Sequence, residues 1–157
     1  MAAAPELAAG EVIRRGRPGD VDAMQALEAL FPSDRMSRRS LRHLLQAPTA
    51  RVLVAESGTG AMLGNLIGLR RAGSRAIRIY SVVVAPEARG SGLGRRLVEA
   101  LQALAASEGC QRVSLEVRAD NAAARALYDR LGYRTVAALP GYYDDGSDGL
   151  RLARSIP

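Results

Sequence analysis

The sequence predicts one α/β domain, built from a mixed β-sheet with helices on its faces. Its 157 residues suffice for one domain with its own core, and 48% of them are apolar, as in globular proteins. Extended and helical periodicities follow one another in the order β-α-α-β-β-β-α-β-α-β-β, which combines hairpins with crossover helices. We expect a flexible N-terminal lead over residues 1–10 and a single domain over residues 11–157.

The first half of the chain is expected to supply two helices and three strands. Val21 and Met24 begin a helical apolar pattern just after Asp20, which we expect to cap the first helix. Ser37 is placed to start the second helix. The predicted strands cover 11–15, 50–57 and 63–71, and the second helix covers 37–46.

The second half alternates strands with two helices and then closes with two strands. A run of β-branched residues indicates a long strand over 75–85, and amphipathic spacing indicates a helix from about Gly92 to Ser107. The remaining predicted elements are a strand over 111–118, a capped helix over 120–132, and strands over 133–140 and 148–156.

Composition excludes several classes of function. All 22 basic residues are arginines and the formal net charge is +6. GC-rich coding explains most of this bias, and the affinity of arginine for phosphate is the functional alternative. Because lysine is absent, there is no Walker A loop and P-loop nucleotide hydrolysis is excluded. The single cysteine, Cys110, has no internal disulfide partner, and no apolar run is long enough to span a bilayer. We therefore expect a cytoplasmic protein with no membrane partner.

Three glycines, Gly90, Gly92 and Gly94, stand between a predicted strand and the helix that follows it. Glycine is unfavourable there unless the backbone takes unusual angles or something approaches it closely. The spacing is not the G-x-G-x-x-G of a Rossmann dinucleotide site. A plain strand-to-helix turn is one interpretation. The other is a diphosphate cradle, since a helix N-terminus binds anions. The arginines that add positive charge there are Arg89, Arg95 and Arg96.

The strand before these glycines changes its apolar phase. Ile77 and Ile79 share one face, whereas Val82 and Val84 have the opposite parity. A β-bulge around Ser81 would produce this shift and splay the strand from its neighbour. The alternative is a strand buried on both faces, which shows no clean phase. A splayed strand ending at a diphosphate cradle would offer backbone groups to a long, thin ligand.

The segment RGSGLG at 89–94 matches the R/Q-x-x-G-x-G/A signature of the GNAT N-acetyltransferases, and the chain resembles that family in nearly its whole element order. The resemblance implies a GNAT-like mixed, mostly antiparallel twisted sheet with a splayed, bulged central strand, and acetyl-CoA as the acetyl donor without a metal. It implies that the backbone of 82–84 pairs with the pantetheine arm and that 89–95 hold the pyrophosphate. The donor-binding residues on this view are Val82, Val83, Val84, Arg89, Gly90, Ser91, Gly92, Leu93, Gly94 and Arg95, together with Asn121.

A carboxylate interrupts the apolar strand at 111–118. The apolar residues of this strand alternate on one face, and Glu116 points to the other. A carboxylate within such a strand is uncommon unless it is paired or used. Two roles remain open: a salt bridge with Arg112 or Arg118, or a general base in a cleft.

Two polar residues on the next predicted helix also have alternative roles. Asn121 is a plausible helix cap by itself. Tyr128 shares a helix face with Leu127 and Leu131, so it fits the core. A buried tyrosine hydroxyl needs a partner and is able to donate a proton, so Tyr128 is also a candidate general acid.

The block LEVRADNAAARALYDRLGY at 115–133 resembles the corresponding segment of the ribosomal-protein-alanine N-acetyltransferases. The resemblance implies Glu116 as proton acceptor, Asn121 as an acetyl-CoA contact and Tyr128 as proton donor, with direct acetyl transfer in a ternary complex. The chain carries Phe31-Pro32 but has no tryptophan, so its acceptor region departs from the pattern of that group.

The acceptor is expected to be a primary amine, in particular a protein or peptide N-terminal α-amine, with a small-molecule amine as the alternative. The loop at 141–147 resembles the tyrosine-rich loop of the same group. Its candidate substrate-binding residues are Tyr142, Tyr143, Asp144 and Asp145. These acidic groups would attract an ammonium, whereas an ordinary solvated turn has the same composition.

A non-catalytic module that senses acyl-CoA or binds RNA is the hypothesis of a different class. One phenylalanine and no tryptophan leave few aromatics for RNA stacking, so we expect no nucleic-acid partner. Glu116 and Tyr128 favour an enzyme, acting as a monomer or homodimer. The only histidine, His43, lies among arginines on a helix expected to be solvated, and Cys110 is expected to be a packed core residue.

Overall fold

The computed structural model describes residues 10–31 and 36–157, so the predicted lead up to residue 9, and Pro32, lie outside the described residues. Within these two ranges the chain forms seven strands and four α-helices in the predicted order. The strands are β1 Val12–Arg15, β2 Ala50–Glu56, β3 Met62–Leu69, β4 Ala76–Val84, β5 Arg112–Arg118, β6 Arg134–Leu139 and β7 Gly149–Ser155. The helices are α1 Val21–Glu28, α2 Arg38–Gln46, α3 Leu93–Ser107 and α4 Ala122–Arg130.

All seven strands of the described chain join one sheet in the order β1-β2-β3-β4-β5-β7-β6. Every neighbouring pair is antiparallel except β4 and β5, which are parallel. A parallel pair requires a crossover connection, and α3 lies in that connection. The prediction of a mixed, mostly antiparallel sheet with flanking helices is confirmed.

The helices cover both faces of the sheet. Residues of α1 and α2, including Met24 and Leu41, pack on one face against β2 and β3. Residues of α3 and α4, including Leu101 and Tyr128, pack on the other face. Strand β2 contributes to both clusters, which explains its nearly continuous apolar sequence.

The predicted bulge in β4 is present. Ser81 pairs with Ile67 and Ile79 pairs with Gly68, so Tyr80 is the extra residue between them. One extra residue reverses the direction of every later side chain. Accordingly Ile77 and Ile79 before the bulge, and Val82 and Val84 after it, all contact the same core cluster.

The bulge also marks the point where β4 leaves β5. The parallel pairing runs from Ala76 with Arg112 to Ile79 with Leu115 and stops there. Both strands continue beyond that pair, β4 to Val84 and β5 to Arg118. A gap therefore opens between their carboxyl ends, as the splayed-strand prediction required.

Two of the three predicted helix caps form as expected. Ser37 Oγ accepts a hydrogen bond from the Ser40 N–H at 3.0 Å, and Asn121 Oδ1 accepts one from the Ala124 N–H at 3.1 Å. The prediction for Asp20 was wrong in its detail. A 3₁₀ turn precedes α1, and the Asp20 carboxylate does not cap α1. It accepts a hydrogen bond from the Arg17 N–H at 2.6 Å, in a capping box of that turn, and also binds the guanidinium of Arg14. Separately, none of the helices within residues 10–31 and 36–157 has the length and apolar character needed to cross a membrane.

Candidate active site

One wall of the gap is the backbone of β4 beyond its bulge. The Ala85 N–H donates to Leu63 O at 2.8 Å, so this residue faces β3. Backbone groups point alternately to the two sides of a strand. Val83 therefore also faces β3, while the amide groups of Val82 and Val84 point into the gap. The backbone donors of this stretch that face the gap are therefore the N–H groups of Val82 and Val84.

The end of this strand leads into the glycine loop and the N-terminus of α3. Gly90 and Gly92 have φ values of +79° and +80°, in the left-handed region that favours glycine. Gly92 ends the loop as the residue before α3. The first N–H groups of α3, at Leu93 to Arg95, have no partner within the helix by its geometry. These donors and the helix dipole make an anion site at the end of the gap.

Gly94 contributes open space to this site. A Cβ on Gly94 would lie 3.8 Å from Val84 and 3.9 Å from Leu127, at ordinary contact distances. Because φ is not positive there, neither backbone strain nor packing against the described residues requires glycine. A ligand that approaches the backbone closely is the remaining physical reason for it.

The three loop arginines have different surroundings. Arg96 is buried, donates to Ser91 O at 2.7 Å and forms an ion pair with Glu11. It therefore stabilises the loop from inside and does not add the free charge that we expected. Arg89 lies 5.1 Å from the centre of the Phe31 ring, and Arg95 forms an exposed pair with Glu99.

The other wall of the gap carries Glu116, the first residue of β5 beyond the pairing with β4. Only 7% of its side chain is exposed. Glu116 Oε1 lies 2.6 Å from Arg78 Nη2 and accepts a hydrogen bond from the Tyr142 hydroxyl at 3.4 Å. Glu116 Oε2 lies 3.8 Å from Arg151 Nε and has no hydrogen-bond partner among the described residues.

Of the two roles considered for Glu116, the salt bridge is present, and the general base stays a prediction. The carboxylate is in a salt bridge, yet its partners are Arg78 on β4 and Arg151 on β7, and not Arg112 or Arg118. Arg118 pairs with Asp145 instead. Arg118 and Arg112 share a strand face with Glu116, but they lie about 7 Å and about 13 Å away along the strand, whereas neighbouring strands are only about 5 Å apart.

Glu116 also lines a cavity of about 230 Å³ on the face of the sheet that α1 and α2 cover. The lining combines two carboxylates, one guanidinium and three tyrosines with smaller groups. Its members are Glu28, Met36, Arg78, Ile79, Tyr80, Ser81, Glu116, Tyr142 and Tyr143. An adjoining cavity of about 330 Å³ follows the splayed part of β4, and Glu28 and Ser81 line both.

The tyrosine-rich loop divides into two parts. Tyr142 and Tyr143, whose rings pack edge to face, contribute to the cavity. Asp145 instead accepts a hydrogen bond from the Ser147 N–H and pairs with Arg118, and these interactions lower the pKa of its carboxyl to about 2. Asp144 is exposed and does not line this cavity.

Tyr128 approaches from the opposite face of the sheet. Its ring is buried and packs edge to face on Tyr133, with the ring centres 5.2 Å apart. Burial raises the pKa of Tyr128 to about 12, so its hydroxyl is protonated at neutral pH. The next residue along the chain toward the N-terminus, Leu127, lies beside Gly94 and Val84. Helix α4 thus meets the gap where the anion site begins.

Asn121 caps α4 through its Oδ1, which accepts the hydrogen bond from the Ala124 N–H. Its side-chain NH₂ group takes no part in capping. His43 is exposed on α2, and Cys110 is buried in the core with a free thiol. No cluster of three or more His, Cys, Asp or Glu side chains suited to a metal occurs among the described residues.

Five residues of the cavity or its border were not predicted from the sequence: Glu28, Met36, Arg78, Tyr80 and Arg151. Arg78 and Glu116 lie on paired parallel strands, two positions apart in register. Arg151 pairs directly with Glu116 across β5 and β7. The sequence shows which residues lie on the polar face of each strand. It does not show the register between strands, which brings these residues together.

The gap, the helix N-terminus at its end and the buried carboxylate suit a transferase that uses a long, thin, anionic donor. The profile of the Acetyltransferase (GNAT) family matches residues 21–133. The chain belongs to the GNAT acetyltransferase family, and as in that family acetyl-CoA is the acetyl donor of its N-acetyltransferase activity.

Relatives within the family differ in their substrates. An uncharacterized N-acetyltransferase of Methanocaldococcus jannaschii is 32% identical over 93% of this chain and 92% of its own length. A putative [ribosomal protein bS18]-alanine N-acetyltransferase of Bacillus subtilis is 31% identical, with 88% and 91% covered. A mycothiol acetyltransferase of Salinispora arenicola is 35% identical over 88% of this chain but only 49% of its own.

A solved structure gives the same indication as the Bacillus subtilis relative. The ribosomal-protein-S18-alanine N-acetyltransferase from Escherichia coli superposes with a TM-score of 0.84. It is 27% identical, and the alignment covers 93% of this chain and 94% of that one. The similarity to the ribosomal-protein-alanine N-acetyltransferases, inferred from 115–133, therefore extends through the whole domain.

Proposed function

We propose that this protein transfers an acetyl group from acetyl-CoA directly to an N-terminal α-amine of a protein or peptide in a ternary complex. The observation that carries the proposal is the position of Glu116. It is the first residue past the last β4–β5 pair, and it lines a cavity that adjoins the splayed part of β4. The relatives that act on ribosomal-protein N-termini support the choice of acceptor.

The residues present fit the donor. The gap-facing amides of Val82 and Val84 suit the amide groups of a pantetheine arm. The N-terminus of α3, from Gly92 to Arg95, suits a diphosphate, and the space beside Gly94 allows close approach. We assign donor binding to the backbone of Val82 and Val84, to residues 89–95 and to the side-chain amide of Asn121. Val83, whose backbone faces β3, is not in this set. Bound acetyl-CoA supplies a thioester carbonyl and a thiol leaving group.

Glu116 and Tyr128 would move the protons. The acceptor amine must lose a proton before it attacks, and Glu116 takes it directly or through a water molecule. Tyr128 holds a hydroxyl proton at neutral pH, because burial raises its pKa to about 12. From the opposite side of the gap it gives this proton to the departing thiolate of coenzyme A. The amide N–H groups of Val82 and Val84 are the candidate stabilisers of developing negative charge.

An α-amine suits this machinery better than a lysine side chain. Its pKa is about 8, against about 10.4 for lysine. At neutral pH a carboxylate base therefore removes a proton more easily from an α-ammonium than from a lysine side chain. The enclosed cavity of about 230 Å³ provides two carboxylates and three tyrosines around the amine. In this revised view the tyrosines Tyr142 and Tyr143 contact the acceptor, whereas Asp144 and Asp145 act only from the rim.

The test is a comparison of kcat/KM for coenzyme A release across three acceptor sets: short peptides with free N-termini, the same peptides N-terminally blocked but carrying lysine, and spermidine. The free N-termini are expected to be preferred. Preference for a lysine peptide or for spermidine would reject the α-amine assignment and support a side-chain or small-molecule amine. No thiol release with any amine would support the non-catalytic acyl-CoA-binding alternative.

A further inference from the structure

The proposed base is held in a closed ion pair. Arg78 Nη2 lies 2.6 Å from Glu116 Oε1, and the exposed fraction of the side chain is 42% for Arg78 but 7% for Glu116. Arg78 is thus able to move into solvent, whereas the carboxylate is fixed within the sheet. While the pair is closed, an acceptor amine cannot approach this oxygen.

A buried carboxylate that loses its cation without replacement is strongly destabilised. The ammonium form of an incoming α-amine is itself a cation with three donors. It replaces the guanidinium charge for charge, and Glu116 never remains uncompensated. An acceptor that binds at Oε1 therefore enters by exchange with Arg78, before the amine gives up its proton.

The exchange leaves Arg78 without its carboxylate partner in the same cavity as the acceptor. Its Nε is buried and already lacks a hydrogen-bond partner among the described residues. Among the described residues, the charges that face this site are Glu28 from α1, Arg78 from β4, Glu116 from β5 and Arg151 from β7, which sum to zero. Arg118 beside them is compensated by Asp145.

From this charge distribution we infer that Arg78 is a specificity-determining residue that selects acceptors with an acidic side chain next to the N-terminal residue. This inference rests on the proposed function. An α-ammonium alone brings the site to one positive charge. A neighbouring carboxylate on the acceptor restores neutrality and pairs with the released Arg78, whereas a neighbouring lysine adds a second positive charge.

The experiment measures kcat/KM for two peptides with free N-termini, Ala-Glu and Ala-Lys at their first two positions and otherwise identical. Wild type is expected to prefer the glutamate peptide about fivefold, the upper range for a partly exposed ion pair. Arg78→Gln should bring the ratio close to one, and Arg78→Lys should retain most of it. Arg112→Gln, which removes an exposed arginine at the opposite end of β5, should leave the ratio unchanged.

If Arg78 has only a structural role, Arg78→Gln would change kcat/KM for both peptides by the same factor. The ratio of the two values would then stay as in wild type, and that result overturns the inference. An equal rate for the two peptides in wild type, or a preference for the lysine peptide, overturns it as well. Failure of the proposed function looks different, because then no peptide with a free N-terminus releases coenzyme A at all, and both proposals fall together.

Discussion

The donor side and the acceptor side of the gap are made from different parts of the chain. The proposed donor side consists mainly of backbone from one continuous stretch, the end of β4 and the glycine loop to the start of α3, with the Asn121 side chain added from the start of α4. The acceptor side consists of side chains from α1, β4, β5 and the loop before β7, which the fold alone brings together. A backbone site is insensitive to most substitutions, whereas a side-chain site changes with each one. This difference explains how relatives of one family keep the donor and differ in the acceptor.

The largest effect is expected for Glu116→Gln, which keeps the shape of the side chain and removes the proton acceptor. The value of kcat/KM should fall about 100- to 10,000-fold, the usual contribution of a general base. The matched control is Glu99→Gln, which removes a carboxylate from an exposed pair with Arg95. Thiol release at saturating acetyl-CoA measures both. Equal activity of the two variants would show that Glu116 is not the general base and serves only in its ion pairs.

A slightly smaller effect is expected for Tyr128→Phe, and Tyr133→Phe provides the comparison within one ring pair. Removing the Tyr128 hydroxyl should lower kcat about 100-fold, because this variant loses the proton donor and keeps the packing. Tyr133 donates to Gln102 at 2.8 Å, so its loss should cost about 1 kcal/mol of stability and leave kcat unchanged. Thermal unfolding and single-turnover kinetics separate the two outcomes. If the kcat loss followed Tyr133 instead, the donor has been assigned to the wrong tyrosine.

The donor side is tested by Gly94→Ala. The added methyl group meets no described atom closer than 3.8 Å, and alanine favours helices, so folding should be unaffected or improved. Acetyl-CoA binding should weaken about tenfold, because the methyl group crowds an approaching diphosphate. Gly19→Ala, in the 3₁₀ turn before α1 where a Cβ has open space, is the control for binding. Unchanged acetyl-CoA affinity, measured by calorimetry, would show that the diphosphate lies elsewhere.

The smallest expected effect separates the two parts of the tyrosine-rich loop. Tyr142→Phe removes a long hydrogen bond to Glu116 and should raise the acceptor KM about twofold. Asp144→Asn, at an exposed position outside the cavity, should leave that KM unchanged. The KM for acetyl-CoA should stay constant in both. A larger change for Asp144 would return the acidic side chains to the acceptor site.

The elements of the fold were predictable because each carries a local signal. The apolar phase of β4 reverses between Ile79 and Val82, and this reversal alone located the bulge. The caps at Ser37 and Asn121 followed from side-chain chemistry, whereas the Asp20 carboxylate closes the 3₁₀ turn before α1 and binds Arg14 instead of capping α1. Local rules succeed where no distant group intervenes.

The sequence by itself determined the strand and helix order, the glycine-lined anion site and the candidate roles of Glu116 and Tyr128. These features depend on periodicity and on residues close together along the chain. Only the tertiary structure decided which arginines hold Glu116, that Glu28 and Met36 border its cavity, and that Arg118 neutralises Asp145. Each of these contacts joins residues far apart in sequence, and their meeting depends on strand register and helix packing. Those are properties of the whole sheet, and no single segment encodes them.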